Sequence, residues 1–188
     1  METQTQTEVS ITEFSPGSAV IYAMHGKCSV IGTEVRTLGG EQIRFYKLEV
    51  KKSPLSRSNR QDTAIWVPVA TAKEKGLRVP MSKVEADAAL QVLLSREYFF
   101  KPSEAWTVIQ PQLENSIRVE GGIGLAKVAS YLFVLKRKQI VPQPEVVKLQ
   151  EAVHKLLFRE LSEALGEPSK NIEGRVLKGF RSKLIPDN

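Results

Sequence analysis

The chain has 188 residues, 41% of them apolar and 26% charged, which is the composition of a folded protein and excludes wholesale disorder, collagen-like and disulfide-scaffold classes. No run of about 18 uncharged apolar residues is present, so no membrane-crossing helix is expected. The single cysteine, Cys28, excludes an internal disulfide and fits a reducing cytoplasm. The net charge of +6 permits a polyanionic partner without demanding one.

Residues 1–12 are polar and lack an apolar core, so they are expected to be disordered and to carry no secretory signal. From Ser18 to Val69 short runs rich in Val, Ile, Tyr, Phe and Thr read as strands: SAVIYAM, KCSVIGTEV, QIRFYKLEV and TAIWV. Leu38-Gly39-Gly40-Glu41 supplies a hairpin turn. The alternation falters at Phe45-Tyr46, where a bulge is expected. The stretch from Ser53 to Gln61 reads as a loop between strands, and Lys51 to Arg60 holds four cations and no acid. Four or five short antiparallel strands of this kind suggest a small half-open barrel over residues 13–79.

After Pro80 the period becomes helical. Ser82-Lys83-Val84-Glu85 is a capping box opening a helix to about Leu94, with Val84, Ala88, Val92 and Leu93 expected to face inward. Pro102-Ser103 opens a second helix, which Pro111 is expected to truncate or kink. Gly121-Gly122 precedes a third, Leu125 to Lys138, with Leu125, Val128, Leu132 and Leu135 on one side. A long helix carrying Val146, Leu149, Val153, Leu156, Leu157, Leu161 and Ala164 ends at Gly166, and a last basic helix follows Pro168. Residues 82–185 therefore read as a compact all-α bundle of four to five helices. The expected class is α+β in two domains.

The residues for catalysis are sparse. His25 and Cys28 offer two metal ligands where a structural zinc site needs four, so no metal or other cofactor is expected. A thiol enzyme using the same pair lacks an identifiable orienting group. Gly121-Gly122-Ile123-Gly124 lacks the Gly-Lys-Ser/Thr end of a phosphate loop and reads as helix punctuation. No enzyme is expected. Binding features are stronger. Trp106, at a helix start, reads either as a core plug or as an apolar wedge for an unstacked base step. Lys136, Arg137 and Lys138 end a helix, where cations complement the macrodipole or contact phosphate.

The strand half carries a recognisable array of motifs. Phe14 to Gly26 (FSPGSAVIYAMHG) resembles an opening F-x-x-G-D-x-V-V-Y-P-x-H-G, Val30-Ile31-Gly32-Thr33-Glu34 an I-x-x-I-E strand, and Phe45-Tyr46-Lys47-Leu48 a Y-Y-x-L strand. Val67 to Arg78 (VPVATAKEKGLR) matches V-P-x-x-x-A-x-x-x-G-L-R. Residues 14–78 thus resemble the CarD/CdnL family of bacterial transcription factors, whose N-terminal domain is shared with the transcription–repair coupling factor. The resemblance implies a Tudor-like half-open barrel that docks on the β subunit of RNA polymerase, followed by a helical domain that contacts promoter DNA and stabilises the open complex. It places Tyr22, Glu34, Arg36 and Trp66 at the polymerase contact, Trp66 standing where some members have arginine. It matches Trp106 to the DNA wedge; the candidate phosphate contacts are this chain's own Arg118, Lys127, Lys136, Arg137 and Lys138 and its basic tail, standing in for the family's cations. The chain departs from the pattern at Ser18, Ala23 and Lys27-Cys28, and most of all after Trp106, where Thr107-Val108-Ile109-Gln110-Pro111 replaces the usual cations. Residues 81–168 hold 11 basic and 11 acidic groups. The alternative is therefore a polymerase-docking protein whose bundle binds another protein instead of DNA. A cytoplasmic monomer is the default state.

Overall fold

In the computed structural model the described residues are 14–50, 64–95, 99–101, 105–137 and 144–183, with the backbone alone described at 136, 137 and 181–183. The expected disordered stretch 1–12, the loop from Ser53 to Gln61 with its four cations, and Lys138 lie outside these residues. Among the described residues the architecture is α+β, a five-stranded antiparallel open sheet plus four α-helices. No helix among the described residues is long and apolar enough to cross a membrane.

The strands are β1 (Ala19–Tyr22), β2 (Gly26–Leu38), β3 (Glu41–Val50), β4 (Ala64–Pro68) and β5 (Leu77–Arg78), in the spatial order β4-β3-β2-β1-β5. Gly39 and Gly40 both hold positive φ, 62° and 88°, and close the β2–β3 hairpin in the tight form that twisted strands favour. The bulge lies on β2, not at Phe45-Tyr46 as expected: Val30 pairs with Leu48 and Gly32 with Lys47, leaving Ile31 as the extra residue. Alternation on β3 is intact; it is the partner strand that slips. One sheet face buries Val20, Cys28, Val30, Tyr46, Leu48 and Val67 with Val69, Ala72 and Leu77.

The helices are α1 (Lys83–Leu94), α2 (Trp106–Arg137), α3 (Pro144–Leu165) and α4 (Ser169–Lys183). The α1 capping box forms as expected: Ser82 Oγ accepts the Glu85 N–H, and Glu85 accepts the Ser82 N–H at 2.8 Å. The α1 buried face matches the expected one at Leu93, with Val92 partly buried, and differs from it at Val84 and Ala88. Ala86, Ala89 and Leu93 are buried, whereas Val84 is 79% exposed and Ala88 is exposed. Small alanines let α1 lie close against its neighbours, and the larger valine is left on the outer side.

Helix α2 runs through Pro111 without leaving helical dihedrals, which corrects the expected truncation; only Gly121 departs from them (φ 60°, ψ −124°). There α2 folds into two arms. Gly124, on the second arm, passes so close to Ser116 on the first that a Cβ would overlap the Ser116 carbonyl. The glycine run therefore serves a break and a close approach of backbone. Leu125, Val128 and Leu132 are buried with Val153, Leu157, Leu161, Ile172, Val176 and Phe180 in a second core, separate from that of the sheet. Gly166 (φ 67°) closes α3, its N–H donating to the Ser162 carbonyl.

Candidate functional site

Strand β2 is 13 residues long, and its two ends have different surroundings. From Gly26 to Ser29 it pairs with β1, and Val30 continues that pairing through hydrogen bonds to Gly17 and Ser18. Beyond Val30, among the described residues, β2 pairs with β3 alone. The backbone N–H and C=O groups on its outer side from Ile31 to Leu38 are an open edge, with Ile31, Val35 and Leu38 exposed beside it. An uncovered edge of this length is a template for another strand.

The side chains at this end form a cluster. Lys47 on β3 stands between Gly32 of β2 and Trp66 of β4. The Arg36 guanidinium lies 3.5 Å from the centroid of the Trp66 ring, and Lys47 Nζ lies 5.2 Å from it. Arg36 Nε donates to Glu34 Oε1 at 3.3 Å. Gly32 leaves room in this row, since a Cβ there meets nothing within 4 Å. The ion pair is solvated and worth well under about 1 kcal/mol, and a cation–aromatic contact at an exposed site adds about 0.5–1 kcal/mol. Such values hold an orientation without sealing it. The cluster presents a planar ring, two cations and a carboxylate next to backbone that is unpaired among the described residues.

Glu34, Arg36 and Trp66 are thus brought together, and Lys47 joins them. No sequence pattern marks Lys47; its position one strand inward from Trp66 becomes visible only through register. Tyr22 is not in the cluster. It pairs with Gly26 at the opposite end of the sheet, ten residues from Arg36 along β2 or about 33 Å of extended chain. There it stacks on His25 at 5.2 Å between centroids and lines a cleft of about 500 Å³ with Pro111, Glu114 and Arg118.

The remaining residues of interest are in the helices. Trp106 is the first residue of α2; its ring is half-buried and packs against the bundle core. Its Nε1 is buried and has no hydrogen-bond partner among the described residues. Arg118 lies on the first arm of α2, where its Nη2 donates to Asn115 Oδ1 at 2.7 Å and its stem covers Gly76 of the sheet half. Lys136 and Arg137 end the second arm, about 24 Å of helix beyond the break beside Arg118. The helical backbone thus puts Arg118 near the break and positions 136 and 137 at the far end of the second arm.

Cys28 is buried in the sheet core, with Sγ 3.5 Å from the Gly26 carbonyl, and burial pushes its thiol up to about 11. A thiol held protonated at neutral pH is a poor nucleophile and a poor metal ligand. Among the described residues no group of three or more His, Cys, Asp or Glu side chains is placed to hold a metal ion.

No protein-family model matches the chain, and no curated protein matches it.

Proposed function

We propose that this chain is a non-enzymatic transcription regulator of the CarD/CdnL type. Its strand half is a Tudor-like module that docks on the β subunit of RNA polymerase by adding a partner strand to β2. The bundle is carried to the promoter near the melted segment and biases the closed-to-open equilibrium through differential affinity for the two states.

One observation carries this reading: the backbone of β2 from Ile31 to Leu38, which among the described residues pairs on the β3 side alone, lies beside the cluster of Arg36, Trp66, Lys47 and Glu34. Main-chain hydrogen bonds along such an edge give affinity, and the adjoining charges select the partner. The spaced motifs between Phe14 and Arg78 support it independently. The test is binding of the full chain to the isolated polymerase β lobe, with and without Arg36→Glu. The wild type binds and the charge reversal weakens it at least tenfold; a wild type that does not bind overturns the proposal.

A second reading concerns the bundle alone and is favoured by the packing of Trp106 against the core. A ring committed to the bundle is a poor wedge, and the scattered cations make a weak phosphate track. In this reading the bundle binds another protein. DNA affinity at two salt concentrations separates the two, because each phosphate contact adds about 0.9 to the slope of log affinity against log salt. A steep slope that Trp106→Ala abolishes restores DNA contact; a flat one favours the protein partner.

A further inference from the structure

The Gly-Leu-Arg end of the strand half does something that neither the docking edge nor the bundle core requires. Arg78, the last residue of β5, sends its side chain out of the sheet into the helices. Its Nη1 and Nη2 donate to Oε1 and Oε2 of Glu160 on α3 at 2.5 and 2.8 Å. Glu160 is 4% exposed, and its Oε1 also accepts the backbone N–H of Met81 at 2.9 Å. Three donors from the segment that joins sheet to bundle thus converge on one buried carboxylate.

The surroundings are shaped to this pair. The break in α2 at Gly121 faces the Arg78 stem, and a Cβ there would stand 2.9 Å from Arg78 Cδ. On α3, residues 156, 160 and 163 share one face by helical spacing, and each grips the sheet half. The Leu156 methyl group lies 3.0 Å from where a Gly26 Cβ would be, and Glu163 accepts from Lys27 Nζ at 2.5 Å. A buried ion pair is weak evidence for net stability, because desolvation offsets the attraction. A bidentate arginine–carboxylate pair instead specifies direction, since both planes must align.

We propose that the Arg78–Glu160 pair, flanked by Leu156 and Glu163, is a coupling joint that sets one fixed orientation of the bundle relative to the open edge of β2. A macromolecule held at that edge then meets the bundle surface at one defined place. Arg78 and Glu160 are positioning residues in this scheme. The functional consequence rests on the polymerase-docking reading; the geometric one does not.

The test uses the full chain with spin labels at Thr37→Cys on the free end of β2 and Asn171→Cys on α4, in a Cys28→Ala background. The distance distribution is measured for the otherwise unchanged chain, for Glu160→Gln and for Arg78→Met/Glu160→Met, the last leaving no buried charge unpaired. The first gives one narrow peak, and both joint variants broaden it at least twofold while still melting cooperatively. In parallel, both variants bind the polymerase β lobe within threefold of wild type but lose at least fivefold of its effect on open-complex lifetime. A peak that stays narrow in both joint variants, or one already broad without them, overturns the proposal. So does an unchanged open-complex effect in a variant whose peak has broadened. Failure of the wild type to bind the lobe, with the narrow peak and its broadening intact, overturns the docking reading and upholds the joint.

Discussion

The two ends of β2 are built from the same strand and have opposite fates. At the Gly26 end the strand is flanked on both sides, buries Cys28 and Val30, and is pinned to α3 through Leu156 and the Lys27–Glu163 pair. At the Leu38 end it is paired on one side, and Val35 and Leu38 are exposed. The Ile31 bulge separates the two. The covered end spends its hydrogen bonds inside the molecule, and the open end keeps them available. Changes at the first should register in stability, and changes at the second in binding.

The largest effect is expected at the seam. Glu160→Ala removes the acceptor shared by the Arg78 guanidinium and the Met81 N–H, at a cost of about 3 kcal/mol, the low end for a broken buried pair because the Arg78 side chain is 23% exposed and also donates to the Val79 carbonyl. That corresponds to a fall in Tm of roughly 6–12 °C for a chain of this size, read by thermal denaturation. Trp66→Ala at the open end should change stability by no more than about 1 kcal/mol. Equal losses would erase the distinction between the two ends.

The next effect is a pH window. Burial raises the Cys28 pKa from 9.0 to about 11, so the unfolded chain releases this proton first. The contribution is complete below pH 9.0 and is lost as pH rises through about 11. Its full size is on the order of 2–3 kcal/mol. Urea midpoints of wild type and Cys28→Ala should converge over that interval, and a constant gap would contradict a buried, protonated thiol.

Two glycines sharpen the comparison further. Gly121→Ala meets both a φ of 60° and the Arg78 stem, and should cost about 2 kcal/mol. Gly32→Ala, on the open part of β2, meets nothing within 4 Å and should be neutral or stabilise by about 0.5 kcal/mol. A comparably small effect, but one that depends on pH, belongs to Glu163. Burial raises its pKa, but the hydrogen bond and charge of Lys27, followed by those of Arg159, outweigh burial and bring it below 4.5. Its stabilising contribution is present above pH 4.5 and is lost as pH falls through the lowered folded value. With both partners of the Lys27 pair partly exposed, Glu163→Gln should cost less than about 1 kcal/mol near neutral pH, and the difference should vanish in acid.

What was legible in the sequence followed from local chemistry. The Ser82 capping box, the Gly39-Gly40 hairpin and the Gly166 helix end each depend on residues a few positions apart, and each stands where expected. On α1 the i, i+4 spacing of Val84, Ala88 and Val92 marks a line beside the buried one of Ala86, Ala89 and Leu93, and of the expected residues Leu93 alone is fully buried. The residue pattern points to a bulge on β3, but the extra residue, Ile31, is on β2, because a bulge is a property of the pairing and not of one strand's composition. Arg78 and Glu160 stand 82 residues apart, and no periodicity links a single arginine on a strand to a single glutamate on a helix. Arg36, Glu34 and Trp66 were found through motif resemblance, yet Lys47 needed the register of three strands.

The account turns on the open edge of β2 serving as the docking strand, and amide hydrogen exchange tests that most directly. On addition of the RNA polymerase β lobe, the outward-pointing amides between Ile31 and Leu38 should gain protection at every second residue, as a new antiparallel or parallel ladder requires. Unchanged exchange along that segment, with any new protection confined to the helices, would contradict it.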